Sequence, residues 1–219
     1  MVIPQDAVFQ NRRHAAFLLG ERLMEYRNSN SIVVAVSGGG IHLGAYLSEL
    51  LNLPLDVMPC RRIKHPAEAE RTIGAVSVDS VVLPEQDRNL PQDYIYHQVQ
   101  MLQHVVDMQA RHYAAAHPAL SYEGRTAIVV DDLMLTGDSV LACVKAVRQK
   151  HPAKIVVAVP NVTPAATQLI SEAIDGIVYL TIEPNAAQHL YAEFPAVSEQ
   201  EVIDILRQRA AAMESVTIL

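Results

Sequence analysis

Two adjacent carboxylates, Asp131 and Asp132, begin the stretch of this sequence whose residue types could do chemistry. A hydroxyl-and-glycine turn follows them, with Thr136, Gly137 and Ser139. A loop at the start of a helix offers free backbone N–H groups and the positive end of the helix dipole, and both suit a phosphate. Carboxylates just beyond a parallel strand lie where open α/β sheets bind ligands. We therefore predict a phosphate-binding turn with two carboxylates beside it.

A second candidate anion loop is Ser37-Gly38-Gly39-Gly40, which follows another apolar run. Three glycines alone fit a tight turn with positive φ equally well. Three cations, Arg61, Arg62 and Lys64, lie close together after a predicted short strand. They could face an anion, but taken alone such a cluster is better explained as a solvated basic surface.

The elements that must position these residues follow from the hydrophobic pattern. Ala127 to Val130 is a short apolar run, typical of a strand buried on both faces. After the turn, Val140, Cys143, Val144 and Val147 have the spacing of one helix face. The glycine loop has the same context, with a predicted strand before it and a predicted helix after it. Those two elements are Ile32 to Val36 and Ile41 to Leu51.

Strands and helices alternate through most of the remaining chain. The further predicted strands are Pro54 to Met58, Ile155 to Val159 and Ile177 to Leu180. The further predicted helices are Asp6 to Arg27 with Asp6 as N-cap, Pro164 to Ala173, and Ser198 to Met213 with Ser198 and Glu201 as a capping box. This alternation predicts an α/β fold with a doubly wound, mainly parallel sheet, in a single domain over residues 1–219.

Residues 60–116 interrupt the alternation. Ile73 to Val78 and Val81 to Leu83 have the pattern of two short strands in a hairpin, and Tyr94 to Ala116 that of a long helix. The polar stretch Pro84 to Asp93 is predicted to be a mobile loop. We expect this insertion, with the C-terminal region, to form a small hood or flap over the site.

Composition argues against several classes of protein. A net charge of −7 and a pI of 5.7 speak against a general nucleic-acid binder, and no apolar run is long enough to cross a membrane. The N-terminus lacks the layout of a signal peptide. Cys60 and Cys143 are too few for a disulfide scaffold or a zinc site, and we expect small buried or half-buried side chains. This cysteine usage predicts a reducing, cytoplasmic location.

Residues 129–139, Val-Val-Asp-Asp-Leu-Met-Leu-Thr-Gly-Asp-Ser, resemble the phosphoribosyl pyrophosphate signature of type I phosphoribosyltransferases. That signature has two apolar residues, two acids and a Thr-Gly-x-Ser/Thr turn, and every diagnostic position is filled. The resemblance covers most of the chain and extends to a bacterial and archaeal branch whose acceptor is unassigned. Its other segments are Phe9 to Ala15, Pro54 to Val57, Arg61 to Ile63, Glu70, Ile73 to Val76, Pro152 to Pro160, Tyr191, Phe194, Glu201 and Val202.

The resemblance implies a role for each matching residue. The residues that would cradle the 5-phosphate are Leu135, Thr136, Gly137, Asp138 and Ser139. Asp131 and Asp132 would be the catalytic carboxylates, facing the ribose hydroxyls and binding the cofactor Mg²⁺. The residues that would bind the pyrophosphate are Ser37, Gly38, Gly39, Gly40, Arg61 and Arg62, and Lys64 would lie near them.

The implied reaction is a displacement at C1 of the ribose. A small nitrogenous acceptor attacks while pyrophosphate leaves, through an oxocarbenium-like state. Such chemistry needs placement and electrostatic complementarity more than a covalent nucleophile. We also expect a homodimer.

One departure from the family pattern is Gly38, which stands where the pyrophosphate loop usually has an arginine, and another is His42, where a proline is common. Loss of a bidentate cation weakens pyrophosphate binding unless Arg61, Arg62 or another basic group replaces it. The alternative function is therefore a regulator that senses phosphoribosyl pyrophosphate or a nucleotide with little catalysis. A phosphohydrolase would need a nucleophile or a second carboxylate set, and no further acidic cluster follows a predicted strand. His42 could donate to a ligand, although a helix-start histidine without such a role is the simpler interpretation.

Overall fold

The computed structural model describes residues 8–68, 71–83, 90–184 and 190–217. The strands are β1 (Ser31–Val36), β2 (Leu55–Met58), β3 (Cys60–Lys64), β4 (Thr72–Ser77), β5 (Ser80–Val82), β6 (Thr126–Val130), β7 (Lys154–Val162) and β8 (Gly176–Ile182). The helices are α1 (Arg12–Arg22), α2 (Gly40–Leu51), α3 (Gln92–Ala114), α4 (Asp138–Arg148), α5 (Pro164–Ile170) and α6 (Glu199–Thr217), with a 3₁₀ turn at Met24–Tyr26. None of the helices in this described part is both long and apolar enough to span a membrane.

Five strands form a parallel sheet in the order β2-β1-β6-β7-β8. In register, Val33 of β1 lies between Leu55 of β2 and Ile128 of β6. The chain therefore leaves β1 toward one edge of the sheet and returns to β1's other side at β6. In open α/β sheets this reversal of strand order creates a crevice at the carboxyl ends of the strands. The loops after β1 and β6, which carry the two predicted anion loops, meet there.

Helices cover both faces of this sheet. Ile32, Val34 and Val36 pack on one face with α4 and α5, whereas Val33 and Ala35 pack on the other with α1, α2 and α6. Every residue of β1 is buried, as expected for a central strand covered on both sides. The predicted doubly wound, mainly parallel α/β fold is confirmed.

The insertion forms a second, antiparallel sheet in the order β3-β4-β5. The predicted hairpin is present as β4 and β5, and its turn places Asp79 at a φ of 50°. The basic stretch 60–64, which we had not predicted as a strand, is the edge strand β3, with Arg62 paired to Ala75. This sheet packs against α4 on one side, and on the other Ile63 and Ile73 pack with Val106 of α3. The insertion thereby brings β3 alongside the start of α4.

The first helix begins later than predicted. Asn11 caps α1, because its side chain accepts a hydrogen bond from the backbone N–H of His14 at 3.0 Å. The predicted cap Asp6, the matching residue Glu70 and residues 84–89 of the predicted mobile loop lie outside the described residues. At the other end of the chain, the N–H of Glu201 donates to Ser198 Oγ at 3.2 Å, which is one of the two bonds of the predicted capping box; the Glu201 carboxylate contacts His42 instead.

Candidate ligand-binding site

Asp131 and Asp132 follow directly after β6, and both are buried. Their exposed fractions are 5% and 7%. The N–H of Asp132 donates to Asp131 Oδ1 at 2.9 Å, and the hydroxyl of Tyr191 donates to the Asp132 carbonyl at 2.9 Å. Burial and the nearby acid pair raise the pKa of Tyr191, so this hydroxyl stays protonated and remains a donor. The acid pair is therefore held rigidly at the switch point, the place between β1 and β6 where the strand order reverses.

The electrostatics of the acid pair suit a cation. Burial, reinforced by the Asp132 carboxylate, raises the pKa of Asp131 well above its usual range, and the positive charge of Arg62 offsets this only in part. Mg²⁺ binds through one or two carboxylates together with ligand oxygens and waters, so this donor set fits it. Within the described ranges, no group of three or more His, Cys, Asp or Glu side chains could hold a metal ion by itself. A metal ion bound here would therefore take some of its oxygen ligands from the acid pair and others from a bound ligand.

The phosphate turn, residues Leu135 to Ser139, runs into the start of α4 with the geometry of an anion site. Gly137 precedes the helix at a φ of 84°, which side-chain-bearing residues rarely adopt. Thr163 Oγ1 donates to the Leu135 carbonyl at 2.8 Å and so ties the turn to the segment after β7. Among described residues, no acceptor takes the N–H groups of Leu135, Thr136 or Gly137. Three free donors at a helix start are a suitable cradle for a phosphate.

A cavity of about 560 Å³ opens in front of this turn. Asp131 contributes one wall, and Arg62 and Lys64 of β3 contribute cations. Arg62 Nε donates to Ser139 Oγ at 3.3 Å, which brings a guanidinium to the start of α4. The remaining lining residues are Arg71, Thr72, Leu133, Met134, Leu135, Thr136, Gly137, Ser139 and Val140.

The glycine loop after β1 lies directly against the acid pair. A Cβ on Gly39 would be 1.7 Å from Asp132 Oδ2, so only glycine fits this close approach. The tight-turn interpretation therefore does not account for all three glycines. Within the described chain, the N–H groups of Gly38, Gly39 and Gly40 donate no hydrogen bond. The Ser37 hydroxyl, by contrast, already accepts from Cys60 N–H at 2.9 Å.

The residue that sequence reasoning missed is Arg12, the first residue of α1. Its Nε donates to Asp132 Oδ2 at 2.7 Å, and its Nη1 donates to the Pro195 carbonyl at 2.8 Å. The guanidinium also lies 3.9 Å from the centre of the Phe194 ring. Arg12 is only 7% exposed. The one available signal was its position inside the matching segment Phe9 to Ala15, which assigned it no role.

Comparison with known proteins identifies the family of this chain. The family model of the phosphoribosyl transferase domain matches residues 4–185. This chain belongs to that family.

Two curated proteins from strains of Mycobacterium tuberculosis, each named "putative phosphoribosyl transferase", are 25% identical over 205 residues. The match covers 91% of this chain and 46% of each relative, so the chain spans about half their length. The crystal structure of TT1426 from Thermus thermophilus is 29% identical, with a TM-score of 0.75. That match covers 92% of this chain and 99% of TT1426.

Not every predicted site residue of this phosphoribosyl transferase domain lies at the cavity. Arg61 occupies the other face of β3, where its charge acts on Tyr113 of α3 and Glu199 of α6. The alternation of side chains along a strand separates it from Arg62. His42 Nε2 lies 2.9 Å from Glu201 Oε1, so the simpler interpretation of His42 as a helix-start histidine is the better one.

The two cysteines of the domain lie beneath the phosphate turn. Both are buried and free, as predicted. The Cys60 thiol donates to the Ser139 carbonyl at 3.7 Å, and the Cys143 thiol to the Met58 carbonyl at 3.9 Å. Burial raises the pKa of Cys143 well above its usual range. These side chains fill the space between β3 and α4.

Proposed function

We propose that this domain binds Mg²⁺-phosphoribosyl pyrophosphate and transfers the phosphoribosyl group to a small nitrogenous acceptor, with release of pyrophosphate. One observation carries the proposal. The acid pair, the phosphate turn and the glycine loop converge on the switch point between β1 and β6, beside a cavity of about 560 Å³. The two anion loops suit the two phosphate ends of this ligand, with carboxylates between them.

Each group has a distinct task in this proposal. The free N–H groups of Leu135, Thr136 and Gly137 hold the 5-phosphate, with Arg62 adding charge at Ser139. The backbone of Leu135 to Ser139 would need no cation for this, because N–H groups at a helix start already favour an anion. Arg62 then raises the affinity for the 5-phosphate but is not needed to position it.

Asp131 and Asp132 act on the sugar. Their carboxylates accept hydrogen bonds from the ribose hydroxyls and fix C1 in line with the acceptor. The negative charge of Asp132 also complements the positive charge that builds on the ribose as pyrophosphate leaves. Mg²⁺, when bound, neutralises charge on the pyrophosphate oxygens, and the acid pair is where it would be held. Tyr191 holds the backbone of Asp132 in place during this step.

The test is release of pyrophosphate from phosphoribosyl pyrophosphate and Mg²⁺ in the presence of a panel of nucleobases and other nitrogenous acceptors. Asp132→Asn should lower turnover by roughly 100-fold, since one preorganised electrostatic contact in such sites is worth about 3 kcal/mol of barrier. Asp204→Asn is the matched control, because that carboxylate is exposed on α6. If the wild-type protein binds no phosphoribosyl pyrophosphate at all, the proposal is wrong.

A second candidate function is sensing of phosphoribosyl pyrophosphate or a nucleotide with little turnover. Gly38 favours it, because the glycine loop has no cation of its own. Tight binding that is lost in Asp132→Asn, with no pyrophosphate released for any acceptor, would support the sensor over the enzyme.

We further propose that the protein acts on these small molecules in the cytoplasm as a homodimer, without nucleic acid or membrane partners. The net charge of −7 supports the absence of a nucleic-acid partner. Sedimentation at micromolar concentration would test the dimer, and a monomer there would contradict it.

A further inference from the structure

The guanidinium of Arg12 is shared between the acid pair and the glycine loop. Nε and Nη1 are engaged by Asp132 and Pro195. The third nitrogen, Nη2, lies where a Cβ on Gly39 would be only 2.7 Å away. Among the described residues, Nη2 donates no hydrogen bond. A cationic donor with spare capacity therefore lies directly beside the candidate pyrophosphate loop.

The loop itself is built without a cation. Gly38 has a φ of 97°, and no atom lies within 4 Å of the place where its Cβ would be. There is space for a side chain, but the backbone conformation is one that an arginine rarely adopts. The N–H groups of Gly38, Gly39 and Gly40 lie at the start of α2 with no acceptor among the described residues, and the space beside Gly38 is open. An anion bound by them would also lie close to Arg12.

The other predicted cations have their partners away from the glycine loop. Arg61 faces α3 and α6. Arg62 and Lys64 line the cavity in front of the phosphate turn, and Arg62 is bonded to Ser139 at that turn. Arg12 is the guanidinium that the structure holds against Gly39.

We propose that Arg12 is the cation of the pyrophosphate subsite, and that it replaces from α1 the arginine that the glycine loop lacks at Gly38. This inference rests on the proposed function. Arg12 binds Asp132 through Nε and the pyrophosphate through Nη2. Its planar guanidinium is held on the Phe194 ring and by Pro195, so its position is set before the ligand arrives. The same contacts connect the C-terminal region, through Phe194 and Pro195, to the leaving group.

The experiment is calorimetric binding of three probes in Mg²⁺: phosphoribosyl pyrophosphate, inorganic pyrophosphate and ribose 5-phosphate. Arg12→Ala should weaken the two pyrophosphate-containing probes by about 10- to 100-fold, the range expected for a charge-assisted hydrogen bond. Ribose 5-phosphate binding should change by less than about threefold, since its phosphate is held at the other loop. Arg12→Lys should fall in between, because a lysine keeps the charge but lacks the planar fork.

The matched control is Arg13→Ala. Arg13 is the next residue of α1, is exposed, and lies over the Tyr46 ring at 5.5 Å. Its loss should leave all three affinities unchanged. If Arg12→Ala does not fold because Asp132 is left unpaired, Arg12→Ala combined with Asp132→Asn removes both partners and is compared with Asp132→Asn alone. The double variant should bind pyrophosphate at least about tenfold more weakly than Asp132→Asn does.

Three outcomes decide between the claims. Selective loss of the pyrophosphate-containing probes supports Arg12 as the subsite cation. Unchanged pyrophosphate affinity, or equal loss of ribose 5-phosphate and pyrophosphate, overturns this inference while leaving the proposed function intact. A wild-type protein that binds none of the probes overturns the proposed function, and this inference with it.

Discussion

The two anion loops of this domain are built in opposite ways. The phosphate turn is local, because its strand, acids, glycine and helix lie within residues 126–148. The glycine loop is assembled from distant parts. Gly39 packs on Asp132, Ser37 is bonded to Cys60, and the adjacent cation comes from Arg12. The phosphate turn can be recognised from its own sequence, whereas the contacts that surround the glycine loop are apparent only in the fold.

This contrast predicts that the glycine loop tolerates change less well than its weak sequence pattern suggests. Gly39→Ala should displace both Asp132 and Arg12, and we expect phosphoribosyl pyrophosphate binding to weaken by about 100-fold, as small misplacements of reacting groups can. Overpacking should also lower the free energy of unfolding by about 1–3 kcal/mol. Titration calorimetry and urea unfolding measure the two effects.

Gly176→Ala is the control for Gly39→Ala, because the nearest atom to its Cβ would be at an ordinary 3.8 Å. It should bind phosphoribosyl pyrophosphate as the wild type does. Normal binding by Gly39→Ala would mean that the glycine loop is not packed against the acid pair in solution.

A smaller effect separates neighbouring cations of β3. Arg62→Ala should weaken ribose 5-phosphate binding by about three- to fivefold, since an exposed ionic contact contributes up to about 1 kcal/mol. Arg61→Ala should leave it unchanged, because Arg61 lies on the face toward α3. The two variants remove the same charge from adjacent positions and are read out by the same titration. Equal losses would show that only overall charge matters at the phosphate turn.

The last prediction concerns the dependence of stability on the pH at which Asp131 titrates. Because the pKa of Asp131 is raised in the folded state, the folded protein binds a proton that the unfolded chain has released. Its contribution to stability is therefore lost as pH rises from about 4, the pKa of an unfolded aspartate. Asp131→Asn should lack this decline, so the variant should gain in urea midpoint relative to wild type between about pH 4 and about pH 7, a window that starts at that reference pKa. A constant difference across that range would contradict the assignment.

Much of the fold could be predicted from the sequence, because buried parallel strands and their helices have strong periodic patterns. The strand β3 could not, since its five residues include three cations at the edge of a small sheet, and it becomes a strand by pairing with β4. The start of α1 was placed at Asp6, but the Asn11 side chain provides the described cap. Local helix propensity alone does not decide which of two such residues caps the helix.

Within the site, the acid pair and the phosphate turn were predicted, whereas Arg12 was not. It lies 120 residues from Asp132 in the chain, and no spacing rule relates them. Their contact exists because the sheet order places β1 beside β6 and packs α1 on the same face as α2. Arg61 and Arg62, adjacent in the chain, point to different partners because side chains alternate between the two faces of β3.

A crystal structure of the domain with Mg²⁺ and phosphoribosyl pyrophosphate tests the account most directly. We predict the 5-phosphate on the N–H groups of Leu135 to Gly137, the ribose hydroxyls at Asp131 and Asp132, and the pyrophosphate on the glycine loop. In that complex Arg12 Nη2 should be within hydrogen-bond distance of a pyrophosphate oxygen. A 5-phosphate bound away from the turn after β6, or a pyrophosphate bound away from the glycine loop, would contradict it.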